Sequence, residues 1–423
     1  MRAPTRPLAQ GEFIALMAMM LATVAFSIDA MLPVLPRIAA QLSPGAPNNA
    51  QLILTTFVLG MGIGTFFAGP ISDSIGRKPA ILAGFALYAI GAVVAAFAPT
   101  LETLLAARLV QGLGASAPRI VSTAMIRDLY SERRMAQILS FVMMIFILIP
   151  AVAPFLGSMI IAAFGWRSIF VAFVIFALIG ALWMTLRQPE TLHPEYRQKL
   201  RLAPLKRALA EVLGHPMVRL YIAVLALGFA QLFAMLSSIQ QVFADVHGRA
   251  DSFPLLFMAM AVLSGGGTIV NARLVMRLGM RRLAITAFGG QAVLSAVLIL
   301  ANLTGALPAS LAFPTFFVWT VSVFFMAGLT FGNLNALALE PMGHIAGMAA
   351  SVVGGVSTVL AVMIAVPIGL AFNGTAVPLM AGTLVCSTLA FVLMHLSRRV
   401  DPTPKKAVPG HTPGIGAGQT PLQ

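Results

Sequence analysis

The chain has 423 residues, of which 59% are hydrophobic and only 9% are charged, and its formal net charge is +14. A soluble domain carries about 25% charged residues, so this composition excludes a globular protein with a polar surface on every side. It indicates a chain that lies in a lipid bilayer, which a helix crosses with roughly 20 apolar residues.

Twelve apolar segments follow one another along the chain. They do not alternate with polar residues, which favours helices over a membrane β-barrel, so we predict an all-α integral membrane protein. The first six segments cover 13–36, 50–71, 79–98, 102–126, 136–162 and 166–186. The last six cover 217–243, 253–276, 282–302, 309–338, 345–372 and 376–397.

The polar stretches between these segments suggest five regions. We predict an N-terminal half at 13–186 and a C-terminal half at 217–397, joined by a linker at 187–216. A short N-terminus at 1–12 precedes them, and the tail at 398–423 is rich in proline and glycine and is expected to be disordered.

The lysines and arginines indicate which side of the membrane each loop occupies. Most of the 27 lie in the two termini, in the linker and in the loops on their side. By the positive-inside rule, this bias predicts that both termini are cytoplasmic. It also accounts for the basic charge without a nucleic acid partner. The linker, with Arg197 and Lys199 among leucines and alanines, is predicted to lie on anionic lipids at the cytoplasmic face.

The first candidate functional residue along the chain is Asp29, in the first segment, which is followed by Pro33 and Pro36. An acidic residue inside a span is costly, and such residues commonly belong to proton relays or substrate pathways. Arg108, in the fourth segment, is expected at a similar depth and could control when Asp29 releases its proton. We predict that these two residues couple transport to protons. A fixed salt bridge at Asp29 and a packing role for Arg108 are the alternatives.

The residues predicted to line a substrate cavity come from both halves. Arg119 lies three helical turns after Arg108, and Gln111 is beside the same helix face. The alternative for Arg119 is a side chain that extends to the inner surface. In the second half Gln231 and Asn333 are mild polar groups among Phe and Met residues, which suits a lipophilic ligand.

A compact polar hairpin runs from Gly69 to Pro79 between the second and third segments. We predict a conformational latch from Gly69, Asp73, Gly76, Arg77 and Lys78, with Asp128 as the partner of Arg77. A solvated turn is the alternative. The sequence Gly279-Met280-Arg281-Arg282, after the eighth segment, echoes Gly76-Arg77-Lys78-Pro79, which indicates two related halves.

The fifth segment carries Pro150, Pro154 and Gly157. Proline bends a helix and glycine thins its surface, so this segment is a candidate hinge between the halves, with an ordinary membrane-helix proline as the alternative. The six histidines lie in loops or near segment ends, and Cys386 lies in an apolar run. These positions do not suggest a catalytic or thiolate metal site, so we do not expect an enzyme.

Four of these motifs resemble the drug:proton antiporter group of the major facilitator superfamily, with twelve helices in two six-helix halves, and within it the Bcr/CflA-type multidrug exporters. They are Asp29–Pro36, the hairpin from Gly69 to Lys78, the run Arg108–Gly114, and the pair Pro154 and Gly157. The fifth-segment motif of that group usually has more glycines, at the positions of Ile149, Ala153 and Ser158. In many relatives the arginine of this helix lies nearer the position of Thr123 than the position of Arg119. This difference suggests that the chain belongs to a subgroup with its own substrate.

The resemblance implies a multi-pass transporter of a bacterial inner membrane, acting as a monomer by alternating access. It implies export of small amphiphilic drugs, such as chloramphenicol- or bicyclomycin-like compounds, in exchange for protons. The proton gradient would supply the energy and no cofactor is expected; the sequence contains no phosphate-binding Gly-x-x-x-x-Gly-Lys loop. The alternative is a proton-coupled exporter or symporter of a small metabolite on the same fold.

Overall fold

The computed structural model describes residues 8–200 and 202–400, apart from the side chains of Glu132, Ala136, Ile147, Leu202 and residues 398–400. Predictions for residues 1–7 of the N-terminus, for Arg201 of the linker and for residues 401–423 of the tail lie outside the described residues. Within the described ranges all regular secondary structure is helical.

The first half contains seven α-helices in chain order. They are α1 (Gln10–Asp29), α2 (Leu35–Leu42), α3 (Leu52–Ile75), α4 (Arg77–Ala96), α5 (Leu101–Leu129), α6 (Glu132–Phe164) and α7 (Ser168–Arg187). The helix α8 (Leu202–Gly214) belongs to the linker. The second half contains α9 (Pro216–Gln241), α10 (Phe253–Leu278), α11 (Met280–Leu303), α12 (Ala309–Leu339), α13 (Ala346–Leu370) and α14 (Val377–Val400).

All of these helices except α2 and α8 are long enough to cross a bilayer at 1.5 Å per residue. By length and hydropathy, 10 candidate spans are found in the described part of the chain. One of them, Ala309–Leu370, contains both α12 and α13. The helix α5 falls outside this set because its polar and charged residues lower its mean hydropathy. Each of the twelve long helices in the described ranges, α5 included, coincides with one predicted segment, and only the first differs in its limits by more than a few residues.

The first predicted segment, 13–36, was wrong as a continuous helix. The helix α1 ends at Asp29, and a 3-10 turn at Leu32–Val34 leads into α2. Proline causes this break, because Pro33 and Pro36 have no backbone N–H to donate to the carbonyls four residues earlier. Asp29 is therefore the last residue of a helix rather than a residue within one.

Helices of the two halves meet along two lines. The helix α3 packs against α13, and α6 packs against α10. We call the end of the bundle that carries the turn between α3 and α4 and residues 188–200 the linker end. We call the end that carries residues 43–51 and 371–376 the opposite end. The functional side chains lie at both ends and between them.

Candidate functional site

The turn between α3 and α4 holds a charged network around Arg77. Its Nε donates to Asp128 Oδ2 at 2.9 Å, and its Nη1 donates to Ser72 Oγ at 2.8 Å and also to Asp73 Oδ1. The Arg77 side chain is only 7% exposed, so these oxygens replace most of its water. The structure thus brings Asp73, Arg77 and Asp128 together on α3, α4 and α5. That they form a latch stays a prediction.

Gly76 permits this geometry, because it separates α3 from α4 with φ +107°. An L-residue rarely adopts this conformation. A Cβ at Gly76 would also lie 2.5 Å from Glu190 Oε2. The other hairpin glycine, Gly69, lies on α3, where a Cβ would be 3.5 Å from Ser351 Oγ on α13. Gly69 therefore faces the second half at the linker end.

Glu190, just after α7, is a member of this site that the sequence analysis missed. Its Oε1 accepts from the backbone N–H of Arg77 at 2.9 Å, and its Oε2 accepts from that of Lys78 at 3.1 Å. A carboxylate at a helix N-terminus satisfies free N–H groups and the helix dipole. The Lys78 ammonium donates to the carbonyls of Thr185 and Gln188. The available signal was an acid three residues after the end of α7.

Asp29 is 5% exposed, and within residues 8–200 and 202–400 it makes no hydrogen bond or ion pair through its side chain. From the sequence, Asp29 and Arg108 could have formed an ion pair, but the structure does not bring the two charges together. Arg108 instead contacts α1 two residues before Asp29, where its Nη2 donates to the carbonyl of Ser27 at 3.0 Å. The two residues do lie at a similar depth on neighbouring helices.

Arg108 is completely buried and binds oxygens on three sides. Besides Ser27, its Nε donates to the carbonyl of Ile53 at 3.2 Å and its Nη1 donates to Gln111 Oε1 at 2.7 Å. The guanidinium carbon also lies 4.3 Å from the ring centre of Phe57, a favourable cation–π distance. In this conformation Arg108 joins α1, α3 and α5.

A hydroxyl pair continues this cluster into α4. Ser27 Oγ and the Tyr88 hydroxyl are 2.5 Å apart, and both side chains are fully buried. Ser27 thus holds α4 through its side chain and α5 through its backbone carbonyl. The last turns of α1 before Asp29 are consequently fixed by polar contacts to two helices.

The four predicted cavity residues differ in accessibility. Gln111 and Gln231 have no exposed surface; Gln111 binds Arg108, and Gln231 accepts a hydrogen bond from Ser387 on α14. Neither lines an open cavity in this conformation, and their contact with a substrate stays a prediction. Asn333 is 5% exposed and donates to Asn271 Oδ1 on α10 at 2.7 Å. Arg119 is half-buried beside Met61.

The predicted hinge lies on α6, which continues as a helix through Pro150 and Pro154. Gly157 allows a close contact, because a Cβ there would collide with the backbone carbonyl oxygen of Ala30. The helix α6 therefore packs directly on the break after Asp29. Whether α6 bends during function stays a prediction.

Side-chain amides join the two halves at the opposite end. Gln51 Nε2 donates to Gln241 Oε1 at 2.9 Å, and Gln241 Nε2 donates to Asn48 Oδ1 at 3.0 Å. Asn48 Nδ2 donates to the backbone carbonyls of Leu370 and Phe372, at 3.2 and 2.8 Å. These bonds connect residues before α3 with α9 and with the end of α13. They hold the opposite end together.

A cavity of about 590 Å³ lies at the linker end, between the ends of α3, α5 and α13 and the linker. Asp73, Thr123, Arg127, Lys199 and Ser351 are among its lining residues. Hydrogen bonds thus join the two halves at the opposite end, and this cavity lies between them at the linker end.

Known proteins share this sequence and this fold. Residues 15–366 match the family model described as Major Facilitator Superfamily. A bicyclomycin resistance protein homolog of Haemophilus influenzae is 30% identical over 376 residues, which cover 87% of this chain and 92% of that protein. The multidrug resistance protein MdtL of Escherichia coli is 39% identical over 143 residues, which cover 34% of this chain and 36% of MdtL.

Solved structures agree with the fold. The xylose transporter XylE from E. coli, in a partially occluded inward-open conformation, aligns with a TM-score of 0.71 at 15% identity. The alignment covers 96% of this chain and 100% of that structure. The family match, the relatives and the arrangement of twelve long helices confirm the predicted fold and its resemblance. The chain is a multi-pass membrane protein and belongs to the major facilitator superfamily.

Proposed function

We propose that this protein exports small amphiphilic compounds from a bacterial cell in exchange for protons. It acts in the inner membrane by alternating access, with both termini and the linker end in the cytoplasm. The proton gradient is the energy source, the chain acts as a monomer without a cofactor, and no chemical step is involved. The names of the bicyclomycin and multidrug relatives support this substrate class, and chloramphenicol- and bicyclomycin-like compounds are the first candidates.

The burial of the Asp29 carboxyl group without a partner among the described residues is the observation that carries the proposal. An ionised carboxylate without a partner is very costly in a protein interior, whereas a neutral carboxylic acid costs far less. A buried acid that makes no hydrogen bond or ion pair within the described residues is therefore well suited to hold a proton in one conformation and release it in another. Its place between the break after α1 and the close contact of Gly157 with Ala30 links that proton to helix movement.

Arg108 supports the exchange by holding the helices around Asp29. In this conformation its donors bind backbone carbonyls of α1 and α3. We propose that a movement of α1 frees this guanidinium to face Asp29, which would favour the ionised carboxylate and release the proton. The network of Asp73, Arg77 and Asp128 would then latch the linker end when the cavity closes.

We infer the orientation of the protein in the membrane from the positive-inside bias and from the expected contact of the linker with anionic lipids. The linker helix α8 lies at the end that carries most cations of the loops, where anionic lipids of the cytoplasmic leaflet would attract it.

The test is proton release from the purified, detergent-solubilised protein on addition of chloramphenicol and a panel of lipophilic drugs. We expect the parent to release protons and Asp29→Asn to release none while it still binds the drug. Asp251→Asn, an exposed residue at the opposite end, is the matched control and should release protons like the parent. Equal release by the parent and by Asp29→Asn would remove Asp29 from the coupling mechanism.

The same variants separate the metabolite alternative. If drugs bind without any proton release from the parent, drug:proton exchange is wrong. Uptake of a nutrient by energised vesicles of known orientation would then favour a symporter on this fold.

A further inference from the structure

Arg119 differs from the other deep arginine in its partners. Arg108 directs its nitrogens at three oxygens, whereas Arg119 makes one side-chain hydrogen bond, to the sulfur of Met61 at 3.6 Å. Within residues 8–200 and 202–400, no carboxylate or carbonyl oxygen accepts from its guanidinium. A guanidinium has five N–H donors and a thioether is a weak acceptor, so most of its binding capacity is unused.

The position of Arg119 connects it to the linker-end cavity. Thr123, Ala124 and Arg127 line that cavity from α5. Arg119 is four residues before Thr123, so it lies on the same face of α5, one helical turn deeper in the bundle. The partly exposed Arg119 side chain is therefore at the inner end of the route that a compound would follow from the cavity.

The charges along this route favour anions. The one carboxylate among the lining residues is Asp73, and Arg77 already pairs with it. Arg127 and Lys199 also line the cavity, and neither makes an ion pair within the described part of the chain. A cavity that is lined by unpaired cations attracts anions and repels cations. Membrane orientation explains Arg127 and Lys199, which lie at the linker end, but it does not explain Arg119 deeper within a span.

We propose that Arg119 binds an anionic group of the transported compound, so that amphiphiles with a single carboxylate or a comparable oxyanion are preferred over uncharged substrates such as the chloramphenicol- and bicyclomycin-like candidates. The planar guanidinium can hold two oxygens of a carboxylate at once. Met61, a flexible apolar neighbour, adapts to the body of the molecule. This inference rests on the proposed export function and specifies its substrate class.

Three fluorescent probes with one apolar body test the charge preference. They are 1-pyrenebutyrate, its uncharged methyl ester and the matching pyrenebutyl-trimethylammonium cation. Binding is measured with the full-length protein in nanodiscs of zwitterionic lipid. We expect the parent to bind the anion about tenfold more tightly than Arg119→Met does, which is the scale of one charge-assisted contact. The ester should bind the parent and Arg119→Met equally. Because each probe is compared between proteins, its partition into lipid cancels.

Two further variants identify the cause of any change. Arg119→Lys keeps the positive charge but loses the planar pair of donors, so part of the preference for the anion should remain. Arg219→Met removes an exposed arginine of α9 outside the cavity and should leave all three affinities unchanged. An anion affinity that is the same in Arg119→Met as in the parent overturns the proposal. A parent that binds the ester or the cation at least as tightly as the anion also overturns it.

Transport distinguishes this inference from the exporter function on which it rests. In proteoliposomes with an imposed proton gradient, Arg119→Met should still move the ester while its transport of the anion falls about tenfold. Asp29→Asn should lose proton-driven movement of both probes. Proton-driven export of both probes at parental rates by Arg119→Met would reject the anion site and leave the exporter function intact.

Discussion

The turn between α3 and α4 and the turn between α10 and α11 have nearly the same backbone and very different chemistry. Gly76 and Gly279 each separate two long helices, with φ of +107° and +80° and ψ of 158° and 154°. The first turn holds Arg77 among three acidic side chains. At the position of Asp73 the second turn has Met276, which is 88% exposed.

This difference indicates that the internal repeat preserves the backbone of the turn, whereas the acidic partners of the first turn are not repeated at the position of Met276. Two helices must reverse direction within one residue at both places, and a glycine with positive φ achieves this. The network around Arg77 also uses a partner from outside the turn, because Glu190 of residues 188–200 accepts from the backbone N–H groups of Arg77 and Lys78. The backbone N–H of Gln198 also donates to the carbonyl of Asp73 at 2.9 Å.

The largest effect should come from making the first turn resemble the second. Arg77→Met places methionine where the second half has Met280 and leaves Asp73 and Asp128 without their guanidinium. Because the Asp128 side chain is only 17% exposed, we expect a cost on the order of 2 kcal/mol and a lower melting temperature in detergent. Drug efflux from cells should fall at equal expression.

Arg277→Met is the matched control, because Arg277 is an exposed residue at the end of α10 beside the second turn. Its effect on the free energy of unfolding should be within about 0.5 kcal/mol of zero, with an unchanged melting temperature. Equal losses in the two variants would show that the charge network adds nothing to the first turn.

A pair of glycine substitutions separates backbone strain from the added contact. Gly76→Ala and Gly279→Ala both force an L-residue into a conformation that costs about 1–3 kcal/mol. Gly76→Ala should lower the melting temperature further, because its Cβ would lie 2.5 Å from Glu190 Oε2, whereas a Cβ at Gly279 meets no atom within 4 Å. Identical shifts, measured by scanning fluorimetry, would contradict a structural role for Glu190.

The smallest expected effect concerns the helix cap. Glu190→Gln keeps one oxygen for the N–H groups of Arg77 and Lys78 but removes the charge that favours the α4 N-terminus, a loss of about 0.5–1 kcal/mol. Glu195→Gln, in the same linker with an 81% exposed side chain, should leave the melting temperature unchanged. A larger loss for Glu195→Gln than for Glu190→Gln would reject the cap.

The sequence predicted the twelve long helices well, because their limits coincide with changes from apolar to polar residues. It also paired Arg77 with Asp128, since a short hairpin leaves few partners within reach. The break after Asp29 was missed although Pro33 and Pro36 signal it, because membrane helices often tolerate proline.

The partners of Arg108 could not be predicted in the same way. Two of them, Ser27 and Ile53, offer backbone carbonyls, and every residue type has such a group. Gln231 illustrates the converse limit. Its amide suggested a cavity, but Ser387, far away in the chain, binds it between α9 and α14. Which helix face is turned inward is a property of the packed bundle.

The amide contacts at the opposite end have a consequence for how the sequence around them can vary. Asn48 donates to the backbone oxygens of Leu370 and Phe372, so substitutions at those two positions leave the acceptors in place. A survey of sequence variation should find Asn48 and Gln241 more restricted than Leu370 and Phe372, whose side chains take no part in these hydrogen bonds. The backbone half of this contact between the two halves therefore leaves no trace in residue identity.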